Sequence, residues 1–253
     1  MHIWTVLNLF LELVLSMGSK LVIIPTYNEI ENIEAIIRKI FSLDGGYNVL
    51  VIDDGSPDGT ADKVCELRKE FAERLDIIRR PGKMGLGTAY IEGFKWSLAH
   101  GYDFTFEMDA DFSHNPDDLD GLYKACTDGG ADMSIGSRYC NGISVVNWPL
   151  KRILISYFAS KYVRNVLNFK ICDSTAGFVC YSRRVLESLD FDKIRMKGYG
   201  FQIEMKYTAH KKGFRIVEVP VIFINRKLGV SKMSSGIFGE AFWGVLGLRF
   251  RKF

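Results

Sequence analysis

Short apolar runs at residues 20–25, 49–53, 75–79, 104–108 and 133–136 alternate with stretches of helical periodicity at about 30–42, 59–73, 87–99 and 116–127. A chain that keeps switching between these two patterns builds βα units, and βα units associate into a mainly parallel sheet. Further strands are predicted at 177–182 and 214–224, with a helix near 201–212. No internal repeat, low-complexity tract or linker breaks the pattern, and 253 residues are ample for one domain with a large core. The expected fold class is a single α/β domain, its central sheet mainly parallel and flanked by helices.

The polar motifs fall at consistent places in this pattern. Pro25-Thr26-Tyr27-Asn28-Glu29 follows the first run, Asp53-Asp54-Gly55-Ser56 the second and Met108-Asp109-Ala110-Asp111-Phe112 the fourth. In open α/β sheets ligands bind outside the carboxyl ends of the strands, so three acidic motifs at three such ends predict one shared site. Read as the end of a strand, with its period of two, Asp109 and Asp111 project from the same face. Two carboxylates held that close repel unless a cation lies between them. Oxygen ligands of this kind suit Mg²⁺ or Mn²⁺, which keep several waters and share a substrate's phosphates. The plainer alternative is a solvated Asp pair ahead of the helix that opens at Pro116-Asp117-Asp118. It accounts for one motif and not for the coincidence of three.

Composition excludes several classes. Charged residues make up 25% and the net charge is only +3, so no global polyanion partner such as nucleic acid is implied. Cys65, Cys126, Cys140, Cys172 and Cys180 are an odd set with no Cys-x-x-Cys pair, which favours reduced thiols over a disulfide framework or a zinc site. Four histidines without a His-Glu-x-x-His spacing lack the usual zinc-hydrolase signature. No Asn-x-Ser/Thr acceptor occurs, in keeping with a cytosolic setting.

Other segments leave alternatives open. Asp53-Asp54-Gly55-Ser56-Pro57-Asp58-Gly59-Thr60 is a tight turn leading into a helix; a carboxylate there could accept hydrogen bonds from a nucleotide base, or Asp58 could simply cap the helix. Gly82-Lys83-Met84-Gly85-Leu86-Gly87 matches neither the P-loop nor the dinucleotide fingerprint and reads best as a glycine-rich turn. The stretch 147–171 holds Lys151, Arg152, Lys161, Arg164 and Lys170 with no acid, interleaved with apolar residues. Such a helix suits an anionic membrane surface, or packs on the core with a basic outer face. Arg226-Lys227-Leu228-Gly229-Val230-Ser231-Lys232 could clamp a diphosphate or be a solvated basic loop. Residues 3–17 are apolar but fall short of the roughly 20 needed to span a bilayer, and no Lys or Arg precedes them as in a signal peptide. Thr5, Asn8, Glu12 and Ser16 form one polar stripe, as in an interfacial or core-packing helix; a dispensable extension ahead of Met17 is the other reading.

Taken together the motifs closely resemble the dolichol-phosphate mannosyltransferases, inverting nucleotide-sugar transferases of GT-A fold. The matching residues are Pro25-Thr26-Tyr27-Asn28-Glu29, the stretch 53–60, Gly85-Leu86-Gly87-Thr88-Ala89, Asp109-Ala110-Asp111 and Gly136-Ser137-Arg138-Tyr139. They continue through Asp173-Ser174-Thr175-Ala176-Gly177-Phe178, the stretch 198–205 and Arg226-x-x-Gly229-x-Ser231-Lys232, so the resemblance covers about residues 20–232.

The resemblance implies a Rossmann-like catalytic domain at 20–232, between an apolar extension at 1–19 and an amphipathic tail at 233–253 that includes Phe238, Phe242, Trp243 and Leu246. It implies that Pro25, Tyr27, Glu29, Ile52 and Asp54 line the guanosine pocket of GDP-mannose. Asp109 and Asp111, with the backbone at Ala110, would hold Mg²⁺ or Mn²⁺ and the diphosphate. Arg138, Arg226 and Lys232 would bind phosphates of donor or acceptor, and Asp111 with these three cations would carry catalysis. Some members have a glutamine metal ligand where this chain has Ser113, so water is expected to replace that ligand.

The implied reaction is inverting mannosyl transfer to dolichyl phosphate, which supplies protein glycosylation and GPI-anchor assembly. The implied location is the cytosolic face of the endoplasmic reticulum membrane, with interfacial helices on the membrane surface. Short members rely in some organisms on small transmembrane subunits; a self-sufficient peripheral enzyme is the alternative. The rival functions are glucosyl transfer from UDP-glucose to the same lipid, and an inactive membrane-recruited scaffold.

Overall fold

β1 (Lys20–Thr26) and β2 (Tyr47–Asp53) pair in parallel, and Leu21, Val22, Ile23, Ile24, Leu50, Val51 and Ile52 have no exposed surface. Strands apolar on both faces must be covered on both faces, which is the condition for a buried parallel sheet. In the computed structural model, which describes residues 18–225 and 237–251, the remaining elements supply that cover. α1 (Ile33–Phe41), α2 (Thr60–Glu70) and α4 (Leu119–Thr127) contribute to one apolar cluster with Val22, Ile24, Val49 and Val51. α3 (Leu86–Ala99), α5 (Leu150–Leu167), α6 (Arg183–Ser188), α7 (Tyr199–Lys211) and α8 (Ile237–Phe250) contribute to the other, with Leu21, Ile23, Leu50 and Ile52. Alternate residues of each strand thus feed opposite cores, as the pleat requires.

The sheet has seven strands in the order β3-β2-β1-β4-β7-β5-β8, where β3 is Leu75–Arg79, β4 Phe104–Glu107, β5 Met133–Ser137, β7 Val179–Ser182 and β8 Ile216–Pro220. A two-stranded ribbon pairs β6 (Val145–Val146) with β9 (Phe223–Ile224). All sheet pairings are parallel except those of β7, which runs antiparallel between β4 and β5. The expected mainly parallel α/β sheet is therefore present, and every strand and helix predicted among the described residues has a counterpart. The segment expected as one strand at 214–224 divides into β8 and β9, and the short α6 had no counterpart in the periodicity.

β1 is the switch point: β2 and β3 lie to one side of it and β4 to the other. The crevice at the carboxyl ends of β1 and β4 is where this architecture takes ligands. Because β7 is antiparallel, its amino end and the preceding residues 173–178 reach the same edge of the sheet as the carboxyl ends of β4 and β5.

The segment read as a C-terminal tail contains α8, which is integral to the core: Val245 and Leu248 are buried, and Arg251 pairs with the buried Glu204 of α7. Among the described residues no helix is long and apolar enough to cross a membrane. The expectations for residues 3–17, Arg226 and Lys232 lie outside the described residues.

Candidate active site

The loops after β1 and β2 are stitched together by Asp53. Its carboxylate accepts from Thr26 Oγ1 (2.9 Å), Ser56 N (2.9 Å) and Ser56 Oγ (2.6 Å), while Ser56 Oγ accepts from Asn28 N (2.9 Å). Asn28 holds a left-handed φ of 56°, which asparagine tolerates better than most residues. Gly55, at φ 71°, lies where a Cβ would meet the Arg80 and Pro81 carbonyls at 3.2 Å, so a side chain is disfavoured on both counts. Asp58 accepts from Thr60 N, Thr60 Oγ1 and Ile30 N, and so organises the entrance to α2.

Of the five residues expected around a nucleoside, four flank this crevice. Asp54, next to Asp53, has Oδ1 3.1 Å from Nη1 of the buried Arg80. Burial raises the Asp54 carboxyl above its usual range, against the pull of Arg80 and a hydrogen bond from the Met84 amide. Tyr27 and Pro25 are half-buried, and Lys83 Nζ stands 3.9 Å from the Tyr27 ring centroid, so the glycine-rich turn closes over the first motif. Glu29 is buried at the start of α1, where its carbonyl accepts from Asn32 N and Ile33 N and its carboxylate from Asn32 Nδ2. The fifth, Ile52, has no exposed side-chain surface and packs with Leu50 in the core beneath the crevice.

The acidic pair also has a different setting from the expected one. β4 ends at Glu107, and Asp109 and Asp111 occupy a turn rather than alternate positions of a strand. The turn is tight because Asp111 Oδ1 accepts from Ser113 N (3.0 Å) around Phe112, whose φ is 58°. A bulky residue in that region is a genuine outlier and marks stored strain of the kind found at ligand sites. Asp109 N donates to His114 Nδ1 (3.1 Å), and His114 stacks on Phe178 at 4.9 Å. Burial keeps His114 neutral, with its pKa lowered to about 4, which leaves Nδ1 free to accept. Ala110 and Asp111 are buried and Asp109 is half-buried.

Arg138 follows β5 and is almost fully buried. Its Nε and Nη2 each lie 2.6 Å from the Asp173 carboxylate, Nη2 also reaches Thr175 Oγ1 (3.1 Å), and its amide donates to Asp173 (3.0 Å). Asp173 is held below the usual carboxylate range by Arg138, which outweighs the effect of burial. Glu218 of β8 accepts from the amides of Cys172 (2.7 Å) and Asp173 (2.9 Å), fixing the loop that carries the pair.

A second buried polar cluster had no assigned role in the sequence. Lys206 Nζ lies within reach of Ala176 O (2.5 Å), Gln202 Oε1 (3.0 Å), Ser174 O (3.3 Å) and Gln202 O (3.3 Å). Gln202 Nε2 donates to Glu107 Oε2 (2.6 Å), two residues before Asp109, and the Tyr181 hydroxyl reaches the other oxygen (3.4 Å). Burial drives the Glu107 carboxyl up to about 8 and the Lys206 ammonium down to about 8, each opposed by the other's charge. The i, i+4 spacing of Gln202 and Lys206 on α7 sets both on the face turned to β4. A polar pair at that spacing within an otherwise buried helix was the signal available in the sequence.

The donor chemistry fits a hard divalent ion. Asp109 and Asp111 offer carboxylate oxygens in one strained turn, and His114 spends Nδ1 on the Asp109 amide. Among the described residues no group of three or more His, Cys, Asp or Glu could hold a metal alone. An ion here would complete its shell with water and substrate oxygens, the usual habit of Mg²⁺.

Residues 21–190 match the family described as glycosyl transferase family 2. A polyprenol monophosphomannose synthase of Mycolicibacterium smegmatis is 46% identical over 232 residues, covering 90% of this chain and 87% of that protein. An undecaprenyl-phosphate mannosyltransferase of Micrococcus luteus is 45% identical over 240 residues, covering 91% and 98%. The crystal structure of glucosyl-3-phosphoglycerate synthase from Mycobacterium tuberculosis with Mn²⁺, UDP and phosphoglyceric acid shares the fold, at TM-score 0.69 and 18% identity over 92% of this chain and 79% of that one. The chain belongs to glycosyl transferase family 2.

Proposed function

We propose that this chain transfers mannose from GDP-mannose to the phosphate of a polyprenyl phosphate, with inversion at the anomeric carbon. The observation that carries the reading is the convergence of the Asp109–Asp111 turn and the Asp173-held Arg138 on one edge of the sheet, beside the Tyr27–Asp54 crevice. The names of two relatives at about 45% identity support the lipid acceptor and the sugar.

A phosphate monoester has a second pKa of about 6, so the acceptor is mostly a dianion at neutral pH. Its oxygen bonds to the anomeric carbon as the bond to the GDP oxygen breaks, and no side-chain base is needed. Asp109 and Asp111 would hold Mg²⁺ or Mn²⁺, which when bound stabilises charge on the departing diphosphate. Arg138, oriented by Asp173, supplies a fixed guanidinium for phosphate oxygens, and Arg226 and Lys232 supply further cations. Pro25, Tyr27, Glu29 and Asp54 bind the nucleoside. A guanine edge offers two adjacent N–H donors to a carboxylate such as Asp54, which favours GDP over UDP.

The reading extends to the membrane surface. Leu150, Leu154, Ile155 and Phe158 of α5 and Phe242, Trp243 and Phe250 of α8 are exposed, and a lipid acceptor must be met at a bilayer. The finer proposal is dolichyl phosphate at the cytosolic face of the endoplasmic reticulum, feeding protein glycosylation and GPI-anchor assembly, alone or with small transmembrane subunits. The two relatives named above are bacterial, so undecaprenyl phosphate is the competing acceptor.

The test is transfer of radiolabelled sugar from GDP-mannose and from UDP-glucose to dolichyl and undecaprenyl phosphates, with Mn²⁺ or with EDTA. Mannosyl lipid formed only with metal is expected. Glucosyl lipid would replace the donor assignment, full transfer in EDTA would remove the metal, and no transfer with any pair would leave a scaffold.

A further inference from the structure

α5 changes character along one face. Residues spaced by three and four stack on a helix surface, so Leu150, Leu154, Tyr157 and Phe158 continue directly into Lys161, Arg164, Asn165 and Asn168. The first half of that face is apolar and open: Leu150 is 70%, Leu154 46% and Phe158 56% exposed. The second half is basic. Among the described residues none of Lys161, Arg164 or the following Lys170 forms an ion pair, and Arg164 Nη1 makes only a weak donation to Cys172 Sγ at 3.6 Å.

At the end of this basic half lies a surface cavity of about 230 Å³, lined by Arg164, Asn168, Phe169 and Lys170. Asn168 turns the chain there with a left-handed φ of 50°, and the Phe169 ring is buried against Tyr207 and His210. The result is a small, open concavity with two cations at its rim and no lining acid. Beside α5, the Tyr162 ring stacks on Phe242 of α8 at 4.9 Å, and the next residue of α8, Trp243, is exposed.

We propose that the cavity at the end of α5 seats the phosphodiester headgroup of an anionic bilayer lipid, with α5 lying obliquely so that its first half enters the bilayer and its second half rests on the headgroups. The inference rests on the membrane-surface reading above and adds to it the lipid chemistry and the seat. The dimensions agree: Leu154 and Arg164 are ten residues apart, about 15 Å along the axis, and interfacial helices sink about 5–10 Å. A soluble polyanion would gain nothing from the open apolar half of the same face. The cations could instead only complement the helix dipole at its carboxyl end. That role would show in thermal stability and not in lipid preference.

The test is co-sedimentation of the full chain with vesicles of phosphatidylcholine alone and of phosphatidylcholine with phosphatidylglycerol, without polyprenyl phosphate so that acceptor binding is not measured. Each interfacial cation contributes about 1 kcal/mol, or about fivefold. Arg164→Gln/Lys170→Gln should therefore bind anionic vesicles roughly 25-fold more weakly, and neutral vesicles as wild type, with little change in melting temperature. Leu154→Ser/Phe158→Ser should weaken binding to both. Equal binding of wild type to neutral and anionic vesicles, or an unchanged double cation variant, would overturn the headgroup seat and leave the membrane reading standing. Displacement by inorganic phosphate at constant ionic strength would show a site for soluble anions and overturn the lipid source. No binding to either vesicle would overturn the membrane reading itself.

Discussion

Arg138 grips Asp173 through two parallel hydrogen bonds of 2.6 Å, with neither side chain appreciably open to solvent. Burying two charges is costly, and removing one partner strands the other, at about 3–5 kcal/mol. Asp173→Asn should lower stability by about that amount at neutral pH. Because the native Asp173 pKa lies below the unfolded value of about 3.9, its contribution is full above that value and fades as pH falls through the native one. Melting temperature from pH 7 to pH 3 should drop steeply below about pH 4 in wild type and less steeply in the variant. Parallel curves would remove the linkage.

Lys206→Met should lower turnover beyond any loss of stability, because the ammonium holds the carbonyls of Ser174 and Ala176 beside Asp173. Burial already raises the Glu107 carboxyl to about 8, and loss of the lysine favours its neutral form further, so adding Glu107→Gln should change the melting temperature little. It should not recover acceptor KM if Lys206 acts by positioning the loop. Joint recovery of stability and KM would reduce the lysine to charge balance.

His114→Phe keeps a ring against Phe178 and removes the acceptor for the Asp109 amide. An unsatisfied buried N–H costs about 1–3 kcal/mol. The expected outcome is a lower melting temperature together with a raised Mn²⁺ concentration for half-maximal activity. A normal Mn²⁺ dependence in the folded variant would separate the imidazole from the acidic turn.

Lys232→Ala and Arg226→Lys test the last cationic motif. Lysine keeps the charge but loses the planar fork suited to phosphate oxygens. Both should lower turnover several-fold with melting temperature shifted little. Steady-state transfer with varied donor and acceptor, alongside thermal unfolding, decides the matter. Wild-type turnover in both variants would put the phosphate clamp elsewhere.

Strand and helix positions were legible in the sequence because apolar periodicity is a local property. Leu75–Arg79 was located to the residue, and the acidic motifs were correctly read at strand ends. The geometry of Asp109 and Asp111 was not legible: a spacing of two serves a strand and a turn equally, and the turn depends on Phe112 adopting φ 58°. The burial of the Ile52 side chain was not legible for a related reason, since a motif places a residue near a site without saying which face its side chain takes.

What the sequence alone determined was the alternation of elements, and with it the edge of the sheet at which the first acidic motifs must gather. Tertiary structure decided which distant residues meet around the candidate site. Arg138 meets Asp173 across 35 residues and Glu107 meets Gln202 across 95, because β7 inserts antiparallel between β4 and β5 and α7 packs with Gln202 and Lys206 turned inward. No local pattern encodes such pairings. They follow from strand order, and from the requirement that each buried charge find a partner once water is excluded.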